Sequence, residues 1–133
     1  MVKIWISKDK EILDKKLIVQ ELLSTYWAGN RSKEQIEKSL EHSVCFGLYE
    51  EKSLIGFARV ISDQSTFAYL CDVFIIKDKQ RQGHGKNLVE HVLCDPDLQK
   101  LNWLLRTKDA HGLYEKYGFS KTLRPDRYME RNS

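Results

Sequence analysis

What this sequence lacks already narrows its class. No apolar run approaches the roughly 20 residues of a membrane-spanning helix, and Met1–Ser7 has no signal-peptide core, so neither a membrane nor an export route is expected. Its three cysteines (Cys45, Cys71 and Cys94) are odd in number and far apart, with no C-x-x-C. That argues against a disulfide framework and against zinc or another metal, and it fits buried free thiols in a reducing cytoplasm. There is no large excess of either charge: 22 Lys and Arg stand against 19 Asp and Glu, for a net +3 spread along the chain. Nucleic-acid binding usually brings a denser basic stripe, so no nucleic-acid partner is expected, whereas a small anionic ligand suits this balance. Repeats, linkers and low-complexity stretches are also missing.

What remains is an ordinary globular balance, 41% hydrophobic and 31% charged over 133 residues, which suggests one domain spanning residues 1–133. Val2–Ser7 alternates as a strand does. Ser7 is placed to cap a helix over about Asp9–Thr25 with Leu13, Leu17, Leu22 and Leu23 inward, and Gly29-Asn30 breaks it. Ser32-x-x-Gln35 has the capping-box pattern and opens a second helix with Ile36 and Leu40 on one face. Val44–Tyr49, Leu54–Ser62 and Phe67–Ile76 read as an antiparallel meander. The last of these, apolar at nearly every position, reads as a central strand covered on both faces.

A helix from His84 to about Cys94 follows, and Asp95-Pro96 stops it. Asn102–Arg106 then reads as a strand parallel to Phe67–Ile76, since a helix crossover joins them. Asp109 is placed to cap a short helix, Ala110–Tyr117, closed by Gly118, and residues 119–131 could add one or two strands. The fold class expected is therefore α+β: a mixed, mostly antiparallel sheet with helices on both faces.

Between the long apolar strand and the helix at His84 lies DKQRQGHGKN. A strand, a glycine turn and a helix start leave several N–H groups unpaired at the positive end of the helix dipole, which suits a phosphate. The spacing Gln80-x-x-Gly83-x-Gly85 is not a Walker loop, because Asn87 stands where Ser or Thr would be. It is not a dinucleotide fingerprint either, because Leu88 takes the place of the third glycine. Alone, the turn is equally a corner eased by two glycines.

Further along, AHGLYEKYGF carries a second pattern. Gln80, Gly83 and Gly85 resemble the Q/R-x-x-G-x-G/A turn of the GNAT N-acetyltransferase superfamily. Ala110, Leu113 and Tyr114 with Gly118-Phe119 resemble its A-x-x-L-Y-x-x-x-G-F segment. Both occur in order, with the family's elements between them, and the resemblance covers most of the chain. It implies a GNAT-like fold, acetyl-CoA as donor and a primary amine as acceptor, in direct attack within a ternary complex. A small-molecule amine fits better than a protein, because no recognition module is appended. The alternatives are a non-catalytic acyl-CoA-binding module or a protein N-acetyltransferase.

By the same resemblance, amides from Gln82 through Gly83, His84 and Gly85 to Lys86 would cradle the CoA pyrophosphate. Backbone groups of Val73 and Ile75 would hold the pantetheine arm as an added strand. Many relatives have asparagine seven residues before the motif tyrosine; here that position is Thr107, which can still hydrogen-bond. Tyr114 is the leaving-group acid by motif match, with Tyr117 packing.

Asp72 is the only residue of the apolar strand that is charged at neutral pH. It reads equally as a base, or anion attracting the substrate ammonium, and as a buried ion-pair partner of Arg59 or Arg106. Tyr26, Trp27 and Arg31 fall at the break between the first two helices, which in this family borders the acceptor pocket.

Overall fold

The computed structural model describes residues 1–132. Its sheet runs β1 (Ile4–Ser7), β2 (Val44–Glu50), β3 (Ser53–Ser62), β4 (Phe67–Ile75) and β5 (Asn102–Leu105), adjacent in space in that order. β2, β3 and β4 form an antiparallel meander, β1 pairs antiparallel with β2, and β5 joins β4 in parallel. Helices α1 (Lys15–Leu23) and α2 (Lys33–Glu41) precede β2, α3 (His84–Leu93) crosses from β4 to β5, and α4 (His111–Glu115) follows β5.

Two cores sandwich the sheet. On one face Ile18 and Leu22 of α1 and Ile36 and Leu40 of α2 pack on Cys45, Phe57 and Phe74. On the other, Leu88 and Val92 of α3 pack on Phe46, Leu48, Ile55 and Val60. The mixed sheet with helices on both faces is the architecture expected from the sequence.

Several details differ. The single helix expected over Asp9–Thr25 is split. Asp9 accepts from Glu11 N–H (2.9 Å) and caps a 3-10 turn, and Asp14 accepts from Leu17 N–H (3.1 Å) and starts α1 afresh. Ser7 ends β1 instead, its Oγ accepting from Asp9 N–H. The restart moves the inward face to Ile18, Val19 and Leu22 and leaves Leu23 exposed. The capping box at Ser32 and Gln35 forms with both reciprocal bonds.

β4 is not covered on both faces along its length: it alternates buried and half-buried residues, whereas β2 is buried from Cys45 to Tyr49 and β3 from Leu54 to Val60. Asp109 does not cap α4, whose N-cap is Ala110 with no side-chain bond; Thr107 Oγ1 accepts from Ala110 N–H at 3.0 Å just ahead of the helix. Residues 119–132 form no strand: Pro125 lacks the N–H a ladder needs and opens a 3-10 turn, with Leu123, Tyr128 and Met129 exposed. Of the cysteines, all free, Cys45 is buried, Cys71 half-buried and Cys94 exposed, so the expected burial fails at Cys94.

Candidate active site

The site begins with a slip in β4. Phe57 pairs with Phe74 and Arg59 with Cys71, so Asp72 and Val73 together face Ala58 in a β-bulge. Asp72 takes the left-handed conformation this requires, at φ 53°. Such a backbone is uncommon outside glycine, though Asp and Asn adopt it more readily than most. The bulge reverses the facing of every later side chain. Ala68 and Leu70 face α3, and regular pairing would put Asp72 beside them. The bulge turns it to the α1–α2 side, with Phe74, while Val73 and Ile75 face α3.

There Asp72, 3% exposed, meets three donors. Its Oδ1 accepts from Trp27 Nε1 at 2.9 Å. Its Oδ2 accepts from Arg31 Nη1 at 2.9 Å and from Arg59 Nε at 2.8 Å. Arg59 also donates from Nη1 to Ser43 Oγ. Burial works to raise the Asp72 pKa, but the hydrogen bonds and charges of the two arginines outweigh it and leave the carboxyl below its ordinary value. Of the two arginines the sequence suggested as partners, Arg59 is one and Arg106 is not. Arg31, in the loop after α1, supplies the second.

β4 and β5 pair only from Phe67↔Asn102 to Leu70↔Leu105, and then part. Beyond Leu70 the β5 side of β4 is an open edge. Ile76 N–H donates to the Ile55 carbonyl, so antiparallel alternation turns the N–H and C=O of Ile75 to that edge. Gln80 Nε2 donates to the Ile75 carbonyl at 2.9 Å, tying the glycine turn to the strand. The parting opens a cleft of about 770 Å³ lined by Asp72, Val73, Thr107 and Tyr114, with Tyr26, Trp27 and Arg31 also on its wall. Helix α4 brings Tyr114 to the cleft, packed edge-on against Phe119 with ring centroids 5.9 Å apart. Burial raises the Tyr114 pKa, so the phenol stays protonated at neutral pH. The Cys71 thiol on the same wall is pushed up to about 11, chiefly by burial, and is no nucleophile at neutral pH.

The turn before α3 forms a separate part. Arg81 (φ 64°) and Gly83 (φ 85°) are left-handed, and Gly83 is the N-cap with no side-chain bond. Among the described residues, the N–H groups from Gln82 to Lys86 find no acceptor within the protein. The glycines differ in need. Gly83 is required by its φ. A Cβ on Gly85 would approach nothing nearer than Ile75 Cγ1 at 3.9 Å, so packing does not demand glycine there. What Gly85 leaves is clearance over free amides, as a phosphate approaching the backbone needs. The structure thus gathers Asp72, Val73, Thr107 and Tyr114 in the cleft and holds Gln80, Gln82, Gly83, His84, Gly85 and Lys86 together at the turn. Ile75 bridges the two through Gln80.

Sequence reasoning did not find Cys71, Tyr69 and Arg106 on the cleft wall. The hydrogen bond from Trp27 to Asp72 was not expected from the sequence either. An Asp in an apolar strand was the one signal that cationic partners should be sought.

A family model described as an acetyltransferase (GNAT) domain matches residues 9–131. The chain belongs to the GNAT acetyltransferase family. A crystal structure from Xanthomonas campestris pv. campestris, assigned to that family, is 41% identical over 98% of this chain and 94% of its own, with a TM-score of 0.94. A curated relative from Gibberella zeae, named as an acetyltransferase, is 30% identical over 83 residues, covering 49% of this chain. That match spans about half of the relative's length, 47%. A Clostridium acetobutylicum structure solved with acetyl-CoA has the same fold, with a TM-score of 0.66 over 99% of this chain and 96% of its own, but only 15% identity.

Proposed function

We propose that this chain is a cytoplasmic N-acetyltransferase that moves the acetyl group of acetyl-CoA to a primary amine of a small molecule, by direct attack in a ternary complex. The observation that carries the reading is the parting of β4 and β5 beside a turn of free amides, with Tyr114 on the same cleft. Acetyl-CoA supplies an activated thioester. The Clostridium structure with acetyl-CoA supports the choice of donor.

In this reading the free amides from Gln82 to Lys86 hold the pyrophosphate, and the Val73–Ile75 edge holds the pantetheine arm as an added strand. Lys86 adds a point charge, and Thr107, whose oxygen already accepts from Ala110, has its hydroxyl proton left to donate. The Val73 N–H, at the bulge, stabilises the carbonyl oxygen as it gains charge. Tyr114 donates a hydrogen bond or proton to the departing sulfur. With its pKa raised, full transfer to a thiolate of pKa near 8.5 is uphill by roughly 2 kcal/mol or more, so its help is hydrogen bonding first.

Asp72 is assigned as a positioning residue. Held by two arginines and acidified, it is a poor acceptor for an ammonium proton; its role is to fix the bulge and the α1–α2 loop. The amine then loses its proton to solvent through the open cleft. An alkylamine is about one part in a thousand neutral at pH 7, so turnover should rise about tenfold per pH unit toward the amine pKa. Thiol release from acetyl-CoA over an amine panel tests the reading. Amine-dependent release supports it, and acetyl-CoA binding without release from any amine counts against it.

A further inference from the structure

The charge on the cleft wall points to the kind of acceptor. Four cationic side chains, Arg31, Arg59, Arg106 and Lys108, face two carboxylates, Asp72 and Asp109. Asp72 is already satisfied by three donors, two of them Arg31 and Arg59. Both arginines keep donors in reserve. Arg31 gives the protein only Nη1. Arg59 gives Nε and Nη1, leaving Nη2 without an acceptor among the described residues, and Arg59 lies on the cleft wall.

Across the opening, Arg106 lies beside the Tyr69 phenol. Its ion pair with Glu130, at 3.6 Å between side chains 73% and 64% exposed, is weak and easily released. Lys108 Nζ stands 5.4 Å over the Tyr26 ring. The donor's pyrophosphate does not account for this excess: the free amides assigned to it lie at the turn, none of them on this wall. A plain alkylammonium would meet net like charge here. An amine bearing its own anion would not, and guanidinium forks match carboxylate and phosphate in geometry.

We propose that the acceptor is a small amine carrying a compact anionic group, a carboxylate or a phosphate, held between Arg31 and Arg59 on one wall of the cleft and Arg106 and Lys108 on the other. This rests on the acetyl-transfer reading.

The test uses matched acceptors with acetyl-CoA: glycine against glycinamide, and O-phosphoethanolamine against ethanolamine. The two pairs separate carboxylate from phosphate. Compared at equal concentrations of free amine, the anionic member is expected to have the higher kcat/KM by about tenfold or more. Arg106→Glu and Lys108→Glu, both at exposed positions, should cut that preference roughly ten- to a hundredfold, with the KM for acetyl-CoA unchanged. Neutral members turning over as well as their anionic partners, or a preference untouched by both reversals, would overturn the inference.

Thermal shift with the same four compounds decides the matter if none of them turns over. Stabilisation by an anionic member alone, lost in Arg106→Glu, sustains the inference. No stabilisation by either anionic member, in protein that acetyl-CoA does stabilise, overturns it while leaving acetyl-CoA binding standing. No stabilisation by acetyl-CoA overturns the donor reading instead, and the anion arm still decides this one.

Discussion

Arg59 Nε lies 2.8 Å from Asp72 Oδ2 and ties β3 to the bulge of β4, at the level where β4 parts from β5. Two strands, the α1–α2 loop and the cleft wall thus meet at one carboxylate whose side chain has no exposed surface. The pair keeps a left-handed aspartate in place and faces the cleft with cationic nitrogen.

Asp72→Asn should therefore act on stability first. It strands two arginine charges, one of them buried, and breaking such a pair typically costs about 3–5 kcal/mol. The sign with pH follows from the lowered pKa. The folded protein holds the carboxylate more tightly ionised than the unfolded chain does, so this contribution is present in full above the ordinary Asp pKa of about 3.9. It is lost as pH falls through the lower folded value. Urea melts of parent and Asp72→Asn at pH 7 and through the acid range check this. A mutant as stable as the parent at pH 7, with turnover lost and its pH dependence changed, would restore the base role.

The two glycines of the turn should separate cleanly. Gly83→Ala forces a side chain into φ 85° and should cost roughly 1–2 kcal/mol. Gly85→Glu meets nothing closer than Ile75 Cγ1 at the Cβ, so its melting temperature should stay near the parent's. Its affinity for acetyl-CoA should fall about tenfold or more, from bulk and like charge over the amides. Calorimetric titration of the folded variant measures it, and unchanged affinity would remove the turn from the binding site.

Much of this was legible in the residues, and the limits have physical causes. Ser32-x-x-Gln35 and Gly118 (φ 91°) behave as local rules require, because capping and left-handed turns depend on near neighbours. The resemblance implies an added strand along Val73 and Ile75, which needs the open edge that β4 has beyond Leu70. The bulge at Asp72 does not show in sequence, since it is set by pairing with β3, and with it went the facing of Asp72 and the partnership with Arg31, 41 residues away. Helix α1 was misjudged because Ser7 and Asp14 are both competent caps, and only packing selects between them. Residues 119–131, expected to be able to add one or two strands, form none, and Pro125 opens a 3-10 turn among them.

Tyr114→Phe keeps the ring packed on Phe119 and removes only the hydroxyl. Folding and the apparent affinity for acetyl-CoA should barely change. General-acid help is typically worth about 10²–10⁴ in rate, and the raised phenol pKa favours the low end, so kcat should drop roughly ten- to thousandfold. Tyr117, whose hydroxyl donates to Glu90 Oε1 at the surface, serves as the control, and Tyr117→Phe should turn over like the parent. Single-turnover kinetics, where chemistry limits the rate, make the comparison. Equal rates for parent and Tyr114→Phe would take the leaving-group role from Tyr114.

The central claim is that acetyl-CoA lies along the open edge of β4 with its pyrophosphate on the turn before α3. Backbone hydrogen exchange, followed with and without acetyl-CoA, reads both contacts in one experiment. The account predicts slowed exchange at Val73 and Ile75 and at the amides from Gln82 to Lys86, which have no protein acceptor without the ligand. The amides of β1 and β2, remote from the cleft, should exchange as before. Binding that leaves both segments unprotected, or slows exchange only elsewhere, would contradict the account.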